Sequence, residues 1–236
     1  MQLKTWTVAL VVAMAALSVS NAAQAARFFV DNTLGDVAPE QVVQVSEPKP
    51  AQLLFQFQSN GAANARATQF LNSHVTEHVT ARGAFSAVST TPAEGGAIVS
   101  ITINNIPQEN AASQGFVTGL TFGLRGTVVS DYYVATLEYV SGPDATPISI
   151  VARHTLYTAV GRADAPPNAT QARNADEAVL TIMRQLVQRM LNDLATQLNG
   201  VSGEHAAAST ADAPAPETTN AEASPAEITP AAEPVN

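Results

Sequence analysis

The chain has 236 residues, with 11 basic and 20 acidic side chains, a formal net charge of -9 and no cysteine. This acidic balance, without any stripe of Lys and Arg, argues against nucleic acid and anionic lipid headgroups as partners. Because cysteine is missing, neither disulfides nor a lipidated N-terminal Cys can form, so the fold is expected to rest on an ordinary hydrophobic core.

The first 25 residues have the pattern of a secretory signal peptide. Lys4 supplies a positive charge, and an apolar run over 8–17 follows it. That run is too short to span a bilayer of about 30 Å as a stable helix. Ala23-Gln24-Ala25 offers the small residues that a signal peptidase accepts. We therefore predict cleavage after Ala25 and export to the periplasm without a lipid anchor.

The first half of the remaining chain contains one predicted strand and one predicted helix. Residues 26–50 have no regular pattern and are interpreted as an irregular lead-in that ends in a proline-rich stretch. Residues 52–58 alternate between apolar and polar, which predicts a half-buried strand. The segment 64–82 has helical periodicity and stops at Gly83, a residue suited to the left-handed end of a helix.

Three further strands and a long helix are predicted in the second half. One strand is expected over 97–104, and two more, over 133–139 and 148–160, form a hairpin whose connection has strong turn chemistry. The long helix spans 175–199 and carries an apolar stripe at three- and four-residue steps. These elements predict an α+β domain over 51–200, with a mostly antiparallel sheet of about four strands and two main helices on one face.

The last part of the chain, residues 201–236, contains mainly Ala, Pro, Thr, Ser and Glu. The helix before it has Asn174 as its expected cap and Gly200 as its expected end. A segment with so few large apolar residues buries too little surface to offset the entropy of ordering it. We predict that 201–236 is a disordered acidic tail.

One motif has the spacing of a metal site. His74, Glu77 and His78 match the H-x-x-E-H pattern of inverted zincins. Two His four residues apart share a face of a helix and can bind zinc, while the Glu can activate water. On the same helix, His78 falls near the centre of the apolar arc, which favours two part-buried imidazoles with hydrogen-bond partners. A metal site at His74 and His78, or a zinc peptidase, is one alternative function.

A second motif is rich in glycine. Residues 115–126 repeat a glycine every four positions, and on a helix this spacing makes a small-residue ridge that allows close packing. The segment is too short to cross a bilayer and contains Arg125. A tight apolar turn is the favoured interpretation, and a lip that touches a membrane or a protein partner is the alternative. The candidate interaction residues are Gly115, Phe116, Gly119, Leu120, Phe122 and Gly123.

The sequence has no recognisable nucleophile or nucleotide-binding motif. It contains no G-x-S-x-G stretch, and the glycines of 115–126 lack the Lys and Ser or Thr of a phosphate-binding loop. His154 falls on a predicted strand without sequence-evident Ser and Asp partners. No catalytic residue and no cofactor is therefore predicted.

Three short stretches resemble a known type of domain. They are Leu54-Phe55-Gln56-Phe57, the helix end Arg82-Gly83-Ala84-Phe85, and the glycine-rich residues 119–124 before Asp131-Tyr132-Tyr133. With the order of the elements, they resemble the small anticodon-binding-like α+β domain of Gram-negative envelope proteins. That domain occurs in the curli secretion lipoprotein, in penicillin-binding-protein activators and at the amino terminus of the Tol translocation protein. The resemblance covers 51–200, although this chain lacks the lipidated Cys of those relatives.

The resemblance implies adaptor, activator or assembly work on protein partners, with no catalytic residues to carry over. We therefore expect an exported, non-enzymatic periplasmic accessory or adaptor protein that acts through protein–protein contacts in the cell envelope. The expected partners are envelope proteins or further copies of the chain, and no nucleic acid. Association with a membrane through 115–126, without spanning it, is a further alternative.

Overall fold

The computed structural model describes residues 26–93, 95–107 and 126–211, with side chains up to residue 200. Two compact units are distinguished, 1–200 and 201–236, and the fold is that of the first. In chain order its elements are β1 (Arg27–Asp31), a 3-10 turn (Pro39–Gln41), β2 (Ala51–Ser59), β3 (Ala62–Ala63), α1 (Ala65–Arg82), β4 (Val88–Ser89), β5 (Ile98–Pro107), β6 (Thr127–Val140), β7 (Ile148–Val160), β8 (Ala169–Ala172) and α2 (Ala175–Ala211).

All strands belong to one mixed sheet. Their order across the sheet is β3-β2-β5-β6-β7-β1-β8, and the short β4 pairs with β2. β2 and β5 are parallel, whereas β5, β6 and β7 form antiparallel pairs. A parallel pair requires a crossover connection, and α1 supplies it between β2 and β5.

The predicted α+β class is confirmed, but the predicted sheet is too small. We expected about four, mostly antiparallel strands, whereas the described residues form an eight-stranded mixed sheet. β1 lies inside 26–50, the predicted irregular lead-in, and pairs with both β7 and β8. With five and four residues, β1 and β8 are too short to show a period of their own. Such strands are specified by the neighbours they pair with, which local sequence does not reveal.

The core lies between one face of the sheet and the two helices. Ile101, Leu137 and Ile150 form a row across β5, β6 and β7, and all three are buried. Both helices turn apolar stripes toward this face. Their fully buried residues include Leu71, Val75, Val79, Ile182, Leu186, Met190 and Leu194. One apolar layer therefore joins all the long elements.

Two of the three predicted helix ends, those at Gly83 and Asn174, agree with the structure. The side chain of Asn64 accepts the N–H of Ala67 at 3.0 Å, and α1 ends at Gly83 with φ of 70°. Asn174 caps α2 by accepting the N–H of Glu177 at 2.8 Å.

The predicted end of α2 at Gly200 is wrong, because α2 continues to Ala211. A glycine inside a helix costs only about 1 kcal/mol relative to Ala, and an Ala-rich run follows it. The rest of the predicted tail, 212–236, lies outside the described residues. None of the helices in the described ranges combines the length and apolarity that crossing a membrane requires.

Residues 33–50, here called the crossing segment, lie alongside α2. Three side chains of α2, spaced about two turns apart, hold this segment. They are Arg184, Asn192 and Asn199. Their partners are the carboxylate of Asp36 at 3.0 Å and the N–H groups of Val43 at 2.9 Å and Ser46 at 3.0 Å. The segment therefore adds to the helix layer on the outside of α2.

Arg82 fastens the crossing segment to both helices. Its guanidinium donates to Oδ1 of Asn192 at 2.6 Å and to the carbonyl of Val43 at 3.3 Å. Burial lowers the pKa of Arg82. Because Asn192 also accepts the N–H of Val43, a single amide oxygen connects α1, α2 and the segment between β1 and β2.

A polar pair is buried within the apolar layer. His154 of β7 is 5% exposed and Gln185 of α2 is 7% exposed. Nε2 of His154 lies 2.6 Å from Oε1 of Gln185, and the N–H of Thr155 donates to Nδ1 at 2.8 Å. Because Nδ1 is already an acceptor, the ring proton belongs on Nε2, and the neutral imidazole donates to Gln185. This hydrogen bond fixes the position of α2 along β7.

We expect Gln185→Leu to lower the free energy of unfolding by about 1–3 kcal/mol, because it leaves a buried imidazole N–H without an acceptor. The double variant His154→Leu/Gln185→Leu is expected to recover part of that loss, since no polar group is then left unpaired. Urea unfolding followed by circular dichroism measures both. Gln197→Leu, at an exposed position of the same helix, is the control. An equal loss in Gln185→Leu and the control would contradict this account.

Candidate functional site

The face of the sheet opposite the helices is not covered by any element of the described part of the chain. Side chains at paired positions point to the same side of a sheet and so form rows across the strands. We call this surface the open face and define it as the alternate residues from Gln52 to Gln58 on β2, Ile98 to Ile106 on β5, Tyr132 to Val140 on β6, and Ser149 to Thr155 on β7.

Large apolar side chains stand in the open face. Leu54 is 44% exposed, Tyr132 43%, Val151 48% and Ile106 37%. An antiparallel sheet with one solvated face usually shows polar residues there. Here apolar groups are exposed on four adjacent strands, among polar and charged neighbours.

The open face carries one positive and one negative charge. Arg153 on β7 and Glu138 on β6 are its charged residues, and both are exposed. Arg153 is paired with Val134, and Glu138 is paired with Ser149. The surface is therefore electrically balanced and mostly uncharged.

One side of the open face is bounded by the loop 161–168, which folds over β1 and β7. Phe29, Ala159 and Ala163 form a small buried cluster there, separate from the main core. The guanidinium of Arg27 donates to the carbonyl of Ala163 and lies 5.9 Å from the centroid of the Phe29 ring. These contacts hold the loop as a raised rim beside the open face.

A cavity of about 540 Å³ lies at the end of the open face, with Tyr132, Arg153 and Asp31 among its walls. Oδ2 of Asp31 accepts the hydroxyl of Tyr157 at 3.0 Å, and Oδ1 accepts the N–H of Thr33 at 2.6 Å. Burial raises the pKa of Asp31, but these hydrogen bonds outweigh it and the pKa is lowered. Asp31 is therefore an ionised carboxylate that holds the turn after β1.

Two further ionisable groups, Asp131 and Tyr133, lie in the first half of β6. Burial raises the pKa of Asp131, and burial together with the Asp131 charge raises the pKa of Tyr133. The side chain of Asn105 is hydrogen-bonded to Tyr133 and opposes this increase. Tyr133 is therefore a protonated phenol at neutral pH, a hydrogen-bonding group of the core.

His74 and His78 lie one turn apart on α1, as the motif predicts. They line a cleft of about 460 Å³ that faces the start of α2. The His74 ring meets Phe70 edge-on, with 6.1 Å between centroids. Within the described ranges, no third His, Cys, Asp or Glu joins the two into a group that could hold a metal ion. The metal site stays a prediction.

The electrostatics of this cleft act on His78. Burial lowers the pKa of His78, the charge of Glu77 raises it, and Arg184 and His74 lower it further. Arg184 belongs to α2 and is held in place by Asp36 at 3.0 Å. The net lowering keeps His78 neutral at pH 7.

We expect two charge removals to move the pKa of His78 in opposite directions. Glu77→Gln should lower it and Arg184→Gln should raise it, because these side chains contribute opposite charges. NMR titration of the imidazole measures both, and His78→Gln identifies the resonance. Shifts of the same sign would contradict the assignment.

The lowered pKa of His78 makes the stability of the folded chain depend on pH. At pH values just below about 6.5 the unfolded chain binds more protons at His78 than the folded chain does. The folded state is therefore not penalised by His78 at pH 7. Its free energy of unfolding decreases as the pH falls below the pKa that His78 has in the unfolded chain. The loss should be smaller in His78→Gln, measured as urea midpoints at pH 7.5 and 5.

The predicted interaction residues from Gly115 to Gly123 lie outside the described residues. The open face, by contrast, was not singled out by sequence reasoning. Its signal was present as apolar residues on the side of β6 and β7 that alternation assigns to solvent. These residues are Tyr132, Val134, Val140 and Val151.

No protein family and no curated protein matches the sequence. Among solved structures, one similar chain is described as a neuraminyllactose-binding hemagglutinin homolog from Helicobacter pylori. It is 13% identical, with a TM-score of 0.37 over 76% of this chain and 95% of that one. A DUF330 protein from Xanthomonas campestris is 13% identical, with a TM-score of 0.29 over 70% and 95% of the two chains. A PelC dodecamer from Paraburkholderia phytofirmans is 10% identical, with a TM-score of 0.28 over 63% and 88%.

At these TM-scores the likeness identifies neither a family nor a function for this chain. The resemblance to the small envelope domain of the curli secretion and Tol proteins stays a prediction.

Proposed function

We propose that this protein is an exported accessory protein of the periplasm, and that it acts by binding another protein through the open face rather than by catalysis. The observation that carries the proposal is the open face itself. In the described residues, two helices cover one side of the sheet and apolar side chains are exposed on the other. Exposed apolar groups of this kind are typical of contact surfaces.

The chemistry of the open face defines the partner. Apolar side chains of the partner would pack against Val151 and Tyr132. An acidic group of the partner would pair with Arg153, and a basic group would pair with Glu138. Polar amides and hydroxyls fill the positions between, and the boundary is the rim at 161–168. This alternation of apolar and charged groups matches the surface of a folded protein.

Other classes of partner fit the open face less well. A polyanion such as nucleic acid requires several basic residues in a patch, and the open face has only Arg153. The chain as a whole has a formal net charge of -9, which repels anionic lipid headgroups as well.

Export is supported by the signal-peptide pattern of the first 25 residues. If the chain is exported and cleaved as proposed, osmotic shock of the producing bacterium should release it with Ala26 as its N-terminal residue. N-terminal sequencing of the released protein measures this. Recovery of the chain in the cytosol with Met1 intact would contradict export.

The contact function is tested by placing a photo-crosslinking amino acid at Val151 of the full-length protein in living cells. We expect defined covalent adducts from this position, because Val151 is the most exposed large apolar residue of the open face. The matched control is Arg66, an exposed residue of α1 in the opposite layer. Equal yields and the same products from both positions would contradict a contact specific to the open face.

A further inference from the structure

We propose that the protein bound at the open face is a second copy of this chain, in a face-to-face dimer with two-fold symmetry. The proposal rests on the contact function proposed above and names its partner. The arrangement of charged and apolar rows on the open face supports it.

The charges are placed symmetrically about a central row. Thr136 of β6 is paired with Val151 of β7 in that row. Arg153 lies two residues after Val151, and Glu138 lies two residues after Thr136. Because β6 and β7 are antiparallel, these two steps lead in opposite directions along the sheet. Arg153 and Glu138 therefore stand at equal distances on the two sides of the central row.

Consider a two-fold axis that lies between two facing sheets and runs across the strands, parallel to the central row. Rotation about this axis places each row of one copy opposite the row at the same distance on the other side of the centre in the second copy. Glu138 of each copy then faces Val134 of the other and lies one strand, about 4.8 Å, to the side of that copy's Arg153. A two-fold contact is isologous, so both ion pairs form in the same event.

The outer rows obey the same symmetry. One outer row lies four residues before Thr136 on β6, where Tyr132 is paired with Ile106. The other lies four residues after Thr136, where Val140 is paired with Ile98. The axis places these two apolar rows against each other. Val151, the most exposed large apolar residue of the open face, comes close to its own copy at the axis. One rotation thus matches opposite charges and apolar side chains together.

The dimensions of the open face are sufficient for a modest dimer. Strands about 4.8 Å apart and residues about 3.3 Å apart give four strands an area of roughly 26 by 19 Å. Two copies would bury about 1,000 Å², the lower range of specific protein interfaces. Sheets pack face to face at about 10 Å, which Arg and Glu side chains can bridge. We therefore expect association in the micromolar range.

Charge exchange in the purified full-length protein tests the dimer. Sedimentation equilibrium should show concentration-dependent dimers of the unaltered chain. Arg153→Glu and Glu138→Arg should each weaken association at least tenfold, because each brings like charges together. An equimolar mixture of the two variants should dimerise again, since every contact then joins opposite charges. Arg66→Glu, on the helix layer, should have no effect, and circular dichroism confirms that each variant folds.

A cysteine at the axis provides a second, independent measurement. The chain contains no cysteine, so Val151→Cys introduces a unique thiol. A short bis-maleimide reagent should join two copies through this position. Arg66→Cys, in the opposite layer, should give no covalent dimer under the same conditions.

The outcomes separate this proposal from the proposed function. A chain that stays monomeric at all concentrations, but whose Val151 crosslinks to a different envelope protein in cells, overturns the dimer and keeps the contact function. A chain with neither self-association nor adducts specific to the open face overturns both. A dimer that persists in Arg153→Glu and is not crosslinked through Val151→Cys overturns the open face as its interface.

Discussion

The fold depends on one apolar layer, the contact between the helices and one face of the sheet. Because the chain has no cysteine, no covalent link shares this task. The layer draws on every long element, from Leu53 of β2 to Leu194 of α2. It also contains the buried hydrogen bond between His154 and Gln185, which gives an otherwise non-directional contact a fixed register.

That arrangement leaves the two sides of the sheet with different roles. The helix side is closed by α1, α2 and the crossing segment, which a single oxygen of Asn192 helps to hold in place. In the described part of the chain the other side is uncovered and is bounded by the loop at 161–168. This sheet face positions side chains from distant parts of the chain in a rigid array. Such an array suits recognition by another folded surface.

Sequence patterns predicted the elements that carry their own signal. The strand over 52–58 and the helix over 64–82 were placed within a residue or two, because alternation, helical periodicity and Gly83 mark them locally. The lead-in strand β1, the four-residue β8 and the continuation of α2 beyond Gly200 were missed. The first two depend on partners more than 100 residues away, and a single glycine is a weak stop signal.

The candidate site likewise combines features that local sequence predicts with features that depend on distant residues. The spacing of His74 and His78 correctly placed both on one side of a helix, since that geometry is local. The open face could not be assembled from sequence, because its rows require the register of four strands. Ile106, Tyr132 and Thr155 become neighbours only through β-sheet pairing. Apolar residues at positions assigned to solvent were the available clue.

The place of β1 between β7 and β8 constrains how the protein reaches its folded state. Arg27 is paired with Ala159, although more than 100 residues separate them. A chain synthesised N-terminus first contains β1 long before either of its neighbours has been made. Until they arrive, its apolar Phe28 and Phe29 have no sheet to enter. The sheet is therefore completed only after β8 has been made, and the first strand of the chain is among the last to be paired.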